Sequence, residues 1–146
     1  MDALAKMREF VSRYPEAEVF ESFTIDYTDN VPDNGGLFPT GLVEVSRTKD
    51  LLGNATVRNQ YNFALYTLFT KAPGDDLGAT YNAEWVMGFQ EWVQEQSALG
   101  LAPTFGDVPR EESITAENGQ VHSADEEGTA LYVVQLQVNF TREFRS

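Results

Sequence analysis

The stretch Thr129-Ala130-Leu131-Tyr132-Val133-Val134-Gln135-Leu136-Gln137-Val138-Asn139-Phe140-Thr141-Arg142-Glu143 decides the fold. Ala130, Tyr132, Val134, Leu136, Val138 and Phe140 occupy every second position, and the alternate face ends in Gln135, Gln137, Asn139 and Thr141. Successive side chains of a strand point to opposite faces, so the pattern predicts a strand with one apolar and one polar side. A second run of the same kind lies upstream, Val57 to Thr70. One face carries Val57, Tyr61, Phe63, Leu65 and Phe69; the other begins with Arg58, Gln60 and Asn62 and turns apolar near Tyr66 and Leu68. Both runs far exceed the usual ~5–6 residues of a strand. Strands of that length either project beyond a compact core and meet a neighbour or bend at a bulge within one domain.

Between the two runs the period changes. Trp85, Phe89, Trp92, Val93, Gln96 and Leu99 recur at spacings of three and four, predicting a helix from about Tyr81 to Leu99. Gly100 suits its end and Pro103 follows. Glu84, Glu91 and Glu95 lie mainly off the aromatic stripe, so the stripe reads as core packed on a sheet. A first helix is marked by Leu4, Met7, Phe10, Val11 and Tyr14, with Asp2 as cap and Pro15 as stop. A strand is expected within Val19 to Thr28, where Phe23, Ile25 and Tyr27 alternate with polar residues, and another over Gly41 to Arg47. The segment from Asp29 to Gly36 is a run of turn formers. A short strand is expected at Glu112 to Ala116, with Ile114 inward, and an acidic turn from Gly119 to Gly128. The expectation is one α+β domain over residues 1–146. It is a mainly antiparallel or mixed sheet packed by the N-terminal helix and a central Trp-rich helix.

The chain has 146 residues, 42% hydrophobic, enough for a packed core. It lacks cysteine, which removes disulfides, thiolate metal sites and cysteine nucleophiles. No apolar run approaches the ~20 residues that span a bilayer, and the N-terminus has no apolar leader core. No membrane association is therefore expected, and the sequons at Asn54 and Asn139 read as chance matches. Lys plus Arg is 10 and Asp plus Glu is 23, a net charge of −13. Such a field disfavours adhesion to nucleic acid or anionic membranes. It fits a well-solvated surface, an acidic patch facing a basic partner, or a channel wall that DNA passes without sticking.

Catalytic signatures are missing. His122, the single histidine, sits beside acids in a turn-like segment with no positioned partner. There is no nucleophile elbow, and Gly35-Gly36 lies in an acidic loop with no following Lys, unlike a phosphate loop. Asp29, Asn30, Asp33 and Asn34 offer oxygen ligands without the closing Glu of a calcium loop. Asp75-Asp76 and Asp125-Glu126-Glu127 read as solvated loops. No cofactor, metal site or catalytic residue is expected.

A resemblance adds a functional expectation. Phe89-Gln90-Glu91-Trp92-Val93-Gln94-Glu95-Gln96 followed by Gly100-Leu101-Ala102-Pro103 resembles a Phe-x-x-Trp-hydrophobic-x-x-Gln…Gly-x-x-Pro pattern of small siphophage and prophage proteins. The run from Ala124 to Leu136 resembles their Asp-…-Thr-Ala-x-Tyr-x-hydrophobic-Gln ending, and Leu42 to Arg47 with Gln60 to Tyr66 is similar to their strands before the helix. These are minor capsid or tail-terminator (tail-completion) proteins, some of them called chloramphenicol resistance proteins. The His-His-x-x-x-Asp-Gly signature of chloramphenicol acetyltransferases is absent here. The resemblance implies a tail-terminator-like fold and a structural role at the virion head–tail junction, after assembly in the host cytoplasm. It implies a ring, six subunits by analogy, that contacts the tail-tube protein and a head-completion or connector protein while DNA passes unbound through the lumen. Under that reading Asp29, Asn30, Asp33, Asn34 and Leu37 of the loop, with Arg58, Gln60, Asn62, Gln137 and Asn139 of the long strands, are the candidate subunit and tube contacts. The competing expectation is an acidic binding module, a DNA mimic or inhibitor of a basic partner.

Overall fold

The computed structural model describes residues 3–15, 22–25, 34–70, 76–124 and 129–146. The Asp2 cap, most of the Val19 to Thr28 strand, and residues Asp29, Asn30, Asp33, Asp75 and 125–127 lie outside them. Helix α1 spans Ala3–Ser12, strand β1 Ser22–Ile25, β2 Asn34–Lys49 and β3 Ala55–Thr70. Helix α2 spans Asp76–Ala98, and after a 3-10 turn at Pro109–Glu111 come β4 Ser113–Ala124 and β5 Thr129–Phe144. They build one five-stranded sheet in the order β1-β2-β3-β5-β4. All neighbours are antiparallel except β1, which pairs in parallel with Asn34 to Leu37 of β2. The α+β expectation holds, with both helices packed on the sheet's apolar face.

The two long strands are partners. Pairing runs without a register shift from Ala55↔Phe144 to Thr70↔Thr129, which sets Phe63 opposite Leu136 and Leu65 opposite Val134 on one face. There they meet Met7, Phe10 and Val11 of α1 and Trp85, Val86, Phe89 and Val93 of α2 in one buried cluster. The aromatic stripe is core: Trp85 stacks on Phe89 at 5.7 Å, and Tyr14 meets both rings edge-on at 5.4 Å. Leu99 departs from its expected inward position and is 62% exposed, because the helix has already ended. Gly100 adopts φ +74°, its N–H donates to the Ser97 carbonyl, and the Leu101 N–H donates to that of Gln96. This paired closure turns the chain off the helix axis and carries Leu99 outward.

Three boundaries differ from expectation. β2 starts at Asn34, not Gly41, because the Asn34-Gly35-Gly36 turn formers are held between β1 and β3. β4 continues to Ala124, through residues expected as turn from Gly119, because β5 supplies the ladder through register shifts after Glu117 and Val121. α2 starts at Asp76, five residues before the expected start at Tyr81. Beyond the helices the α2–β4 loop takes over as cover. Phe105 packs on Tyr61 at 5.4 Å and Phe140 at 5.9 Å, and Lys6 ties the loop to α1 by donating to the Thr104 carbonyl at 2.6 Å.

Candidate interaction surfaces

The sheet face away from the helices gathers half of the sequence-predicted contacts. Register places Gln60 opposite Asn139, Asn62 opposite Gln137 and Arg58 opposite Thr141. The Gln60 amide donates to the Asn139 side-chain oxygen at 3.2 Å. Arg58 is exposed and the four amide-bearing residues are half-buried, forming one uncharged polar strip with a single cation at its end. The strip is flanked by two shallow hollows. One, of about 250 Å³, lies between Val45, Arg58, Ser113 and Asn139; the other, of about 210 Å³, lies between Thr40, Asn62, Ala64 and Gln135.

The loop half of the prediction fares differently. Asn34 opens β2 beside Ser22 and Leu68. Leu37 is corrected: it pairs with Leu65 on the helix-facing side and is completely buried in this chain's own core. Its side chain has no surface left for a partner.

The sequence reading missed the far end of the β2–β3 hairpin. From Pro39 to Gly53 every residue is exposed, and among the described residues no strand flanks β2 on its outer side beyond Leu37. Leu42, Val43 and Val45 are 54%, 48% and 58% exposed, and Leu51 and Leu52 at the tip are fully or nearly fully so. This tip is built, not loose. The Asp50 carboxylate accepts from the N–H groups of Leu52 and Asn54 at 2.9 and 3.0 Å and from the Asn54 side-chain amide at 3.0 Å. Those donors, the Asn54 side chain foremost, hold the Asp50 carboxyl below its ordinary 3.8. Gly53 supplies a φ of +86°, and Ser146 caps the tip by donating to Asn54 Oδ1 and to the Leu52 carbonyl.

No family model matches the chain, and no curated protein matches it.

A second surface lies on the opposite edge of the sheet. α2 runs beside β4, and a groove of about 710 Å³ opens between Met87, Gln90, Glu91 and Gln94 on the helix and Ile114 to Glu117 on the strand. The helix partly occupies the strand edge: the Ile114 N–H donates to Ser97 Oγ at 3.1 Å, and Gln90 Nε2 donates to the Ala116 carbonyl at 3.3 Å. Glu84, Glu91, Glu95 and Glu117 are exposed around the groove. Among the described residues no group of three or more His, Cys, Asp or Glu side chains converges as a metal site. No helix there is long and apolar enough to cross a membrane.

Proposed function

We propose that this protein is a structural assembly subunit, not an enzyme. We place it as a ring-forming tail-terminator protein of a phage virion that closes the tail tube and joins it to the head connector. The observation that carries the assembly part is the β2 edge with its leucine-bearing tip. Apolar side chains exposed along an edge strand that no described strand flanks are costly on an isolated monomer and are normally covered by another chain. The phage part rests on the resemblance of the helix and last-strand motifs. Under this reading the amide strip of Gln60, Asn62, Gln137 and Asn139, together with Arg58, is the tube- or connector-facing surface. Its four amides present donors and acceptors without charge of their own, so only Arg58 ties binding to ionic strength. The net charge of −13 keeps DNA from adhering as it passes the lumen. A DNA mimic would need an unbroken run of phosphate-spaced carboxylates. Here Met87, Gln90 and Gln94 interrupt the exposed acids of α2, which argues against the mimic.

Electron microscopy of the purified protein, alone and with polymerising tail-tube protein, tests the proposal. The expected result is rings with a central hole and tubes that stop at a capped end. Monomers that leave tube growth unaltered would overturn it.

A further inference from the structure

The two surfaces missed by sequence reading are complementary, and the geometry points to their meeting between copies of this chain. We propose that the β2 outer edge and Leu51-Leu52 tip of one subunit seat in the α2–β4 groove of the next. This inference rests on the ring reading above and names the contact that would close the ring.

Charge selects the occupant. The arm segments 40–58 and 140–146 hold Arg47, Lys49, Arg58, Arg142 and Arg145, half of the chain's 10 cations, against only Glu44, Asp50 and Glu143. One of these, Arg47, is paired within the arm to Glu44 at 2.7 Å. Helix α2 and strand β4 carry Asp76, Glu84, Glu91, Glu95 and Glu117 and no Lys or Arg at all. A cationic arm with aliphatic side chains therefore faces an anionic groove whose rim exposes Met87. Two arms placed edge to edge would instead oppose like charges, which costs affinity. The preformed tip favours docking further, because Asp50, Asn54 and Ser146 already hold the conformation that presents both leucines. Since arm and groove are different patches, the contact is heterologous, and repetition closes a ring or propagates a filament.

Sedimentation velocity on the full chain tests this with two variants. Leu51→Asp with Leu52→Asp disables the tip. Met87→Lys with Glu91→Lys disables the groove. All four residues are exposed, so circular dichroism should match the parent. Each variant alone should lose self-association by roughly 10–100-fold, the range of a disrupted apolar anchor. Mixed, they should form a one-to-one pair and nothing larger, because only one live tip and one live groove remain. A parent chain that stays monomeric overturns the inference. So does a tip variant that assembles normally, or a groove variant that dimerises through its intact arm. Arm- and groove-dependent assemblies that fail to cap tail tubes would leave this contact standing and sink the terminator reading. Tubes capped equally well by the tip variant would do the reverse.

Discussion

Glu112 is the buried carboxylate on which the α2–β4 loop depends, and removing it should loosen the arm without touching the aromatic core. Only 7% of Glu112 is exposed. Its two carboxylate oxygens accept from the Phe105 N–H at 2.6 Å and the Gly106 N–H at 3.3 Å. The loop held in this way then takes the outer side of β5: the Asp107 N–H donates to the Thr141 carbonyl at 2.8 Å, and the Glu143 N–H donates to Asp107 Oδ2 at 2.8 Å. Hydrogen bonds to a charged group contribute about 1.5–3 kcal/mol each. The short bond here is worth about 2 and the long one about 1, so Glu112→Ala should cost about 3 kcal/mol. Glu112→Gln keeps one acceptor but turns an amide donor toward a backbone N–H, so about half that loss is expected. Urea denaturation measures the global change. Amide exchange at Phe105, Gly106, Asp107 and Glu143 measures the local one, and 3 kcal/mol corresponds to roughly 100-fold faster exchange. A loss below about 0.5 kcal/mol with unchanged exchange at these amides would refute the clamp.

Three further outcomes follow from the same geometry. Gly106→Ala would place a Cβ 2.2 Å from the Thr141 carbonyl oxygen; backbone cannot yield as a side-chain end can, so thermal unfolding should show a loss of about 2 kcal/mol or more. Phe89→Ala removes a ring with no exposed surface, wedged among Tyr14, Trp85 and Trp92, and should cost about 3–5 kcal/mol in denaturant. Burial raises the Tyr132 hydroxyl above 10.0, so the stability held by its neutral form is complete below pH 10 and falls as pH rises toward the folded-state value. A Tyr132→Phe chain should lose less stability over that alkaline window than the parent, and equal slopes would contradict the assignment.

Which parts of this could be read from sequence depends on whether local pattern or a distant partner decides. β5 was legible because its apolar face runs unbroken from Ala130 to Phe140 and its other face is polar from Gln135 on, and its neighbour β3 repeats the pattern in part. The pairing of Gln60 with Asn139 was not legible, since a slip of one residue would send every amide to the other face. The start of β2 was hidden for another reason: Asn34, Gly35 and Gly36 have turn propensity, and only hydrogen bonding from both sides overrides it. Leu37 was misassigned with that turn; once Asn34 to Gly36 are strand, alternation carries Leu37 inward opposite Leu65. The groove had no sequence signal at all, because Ser97 and Ile114 meet only through the return of the chain after Gly100.

The sheet's two edges are treated in opposite ways, and the difference bears on how the chain avoids indiscriminate aggregation. At β4, Ser97 and Gln90 engage the outward Ile114 N–H and Ala116 carbonyl, so a foreign strand finds part of the ladder taken. At β2 no described strand covers the edge beyond Leu37, and the edge is lined with Leu42, Val43 and Val45, but its pairing with β3 shifts register between Pro39 and Gly41 and again between Glu44 and Ser46. Each irregularity kinks the strand and breaks the regular spacing of outward N–H and C=O groups, so a straight strand cannot add along its length. What remains is a shaped apolar ridge that binds through side chains more than through backbone. A partner must therefore match its bends and its cations. Replacing Gly41, which holds φ +123° with no atom near its missing Cβ, by Ala should distort the first kink. Self-association should then weaken while the core, on the far side of Phe63, keeps its stability to within about 1–2 kcal/mol. Assembly unchanged by this substitution would mean that the bend plays no part in recognition.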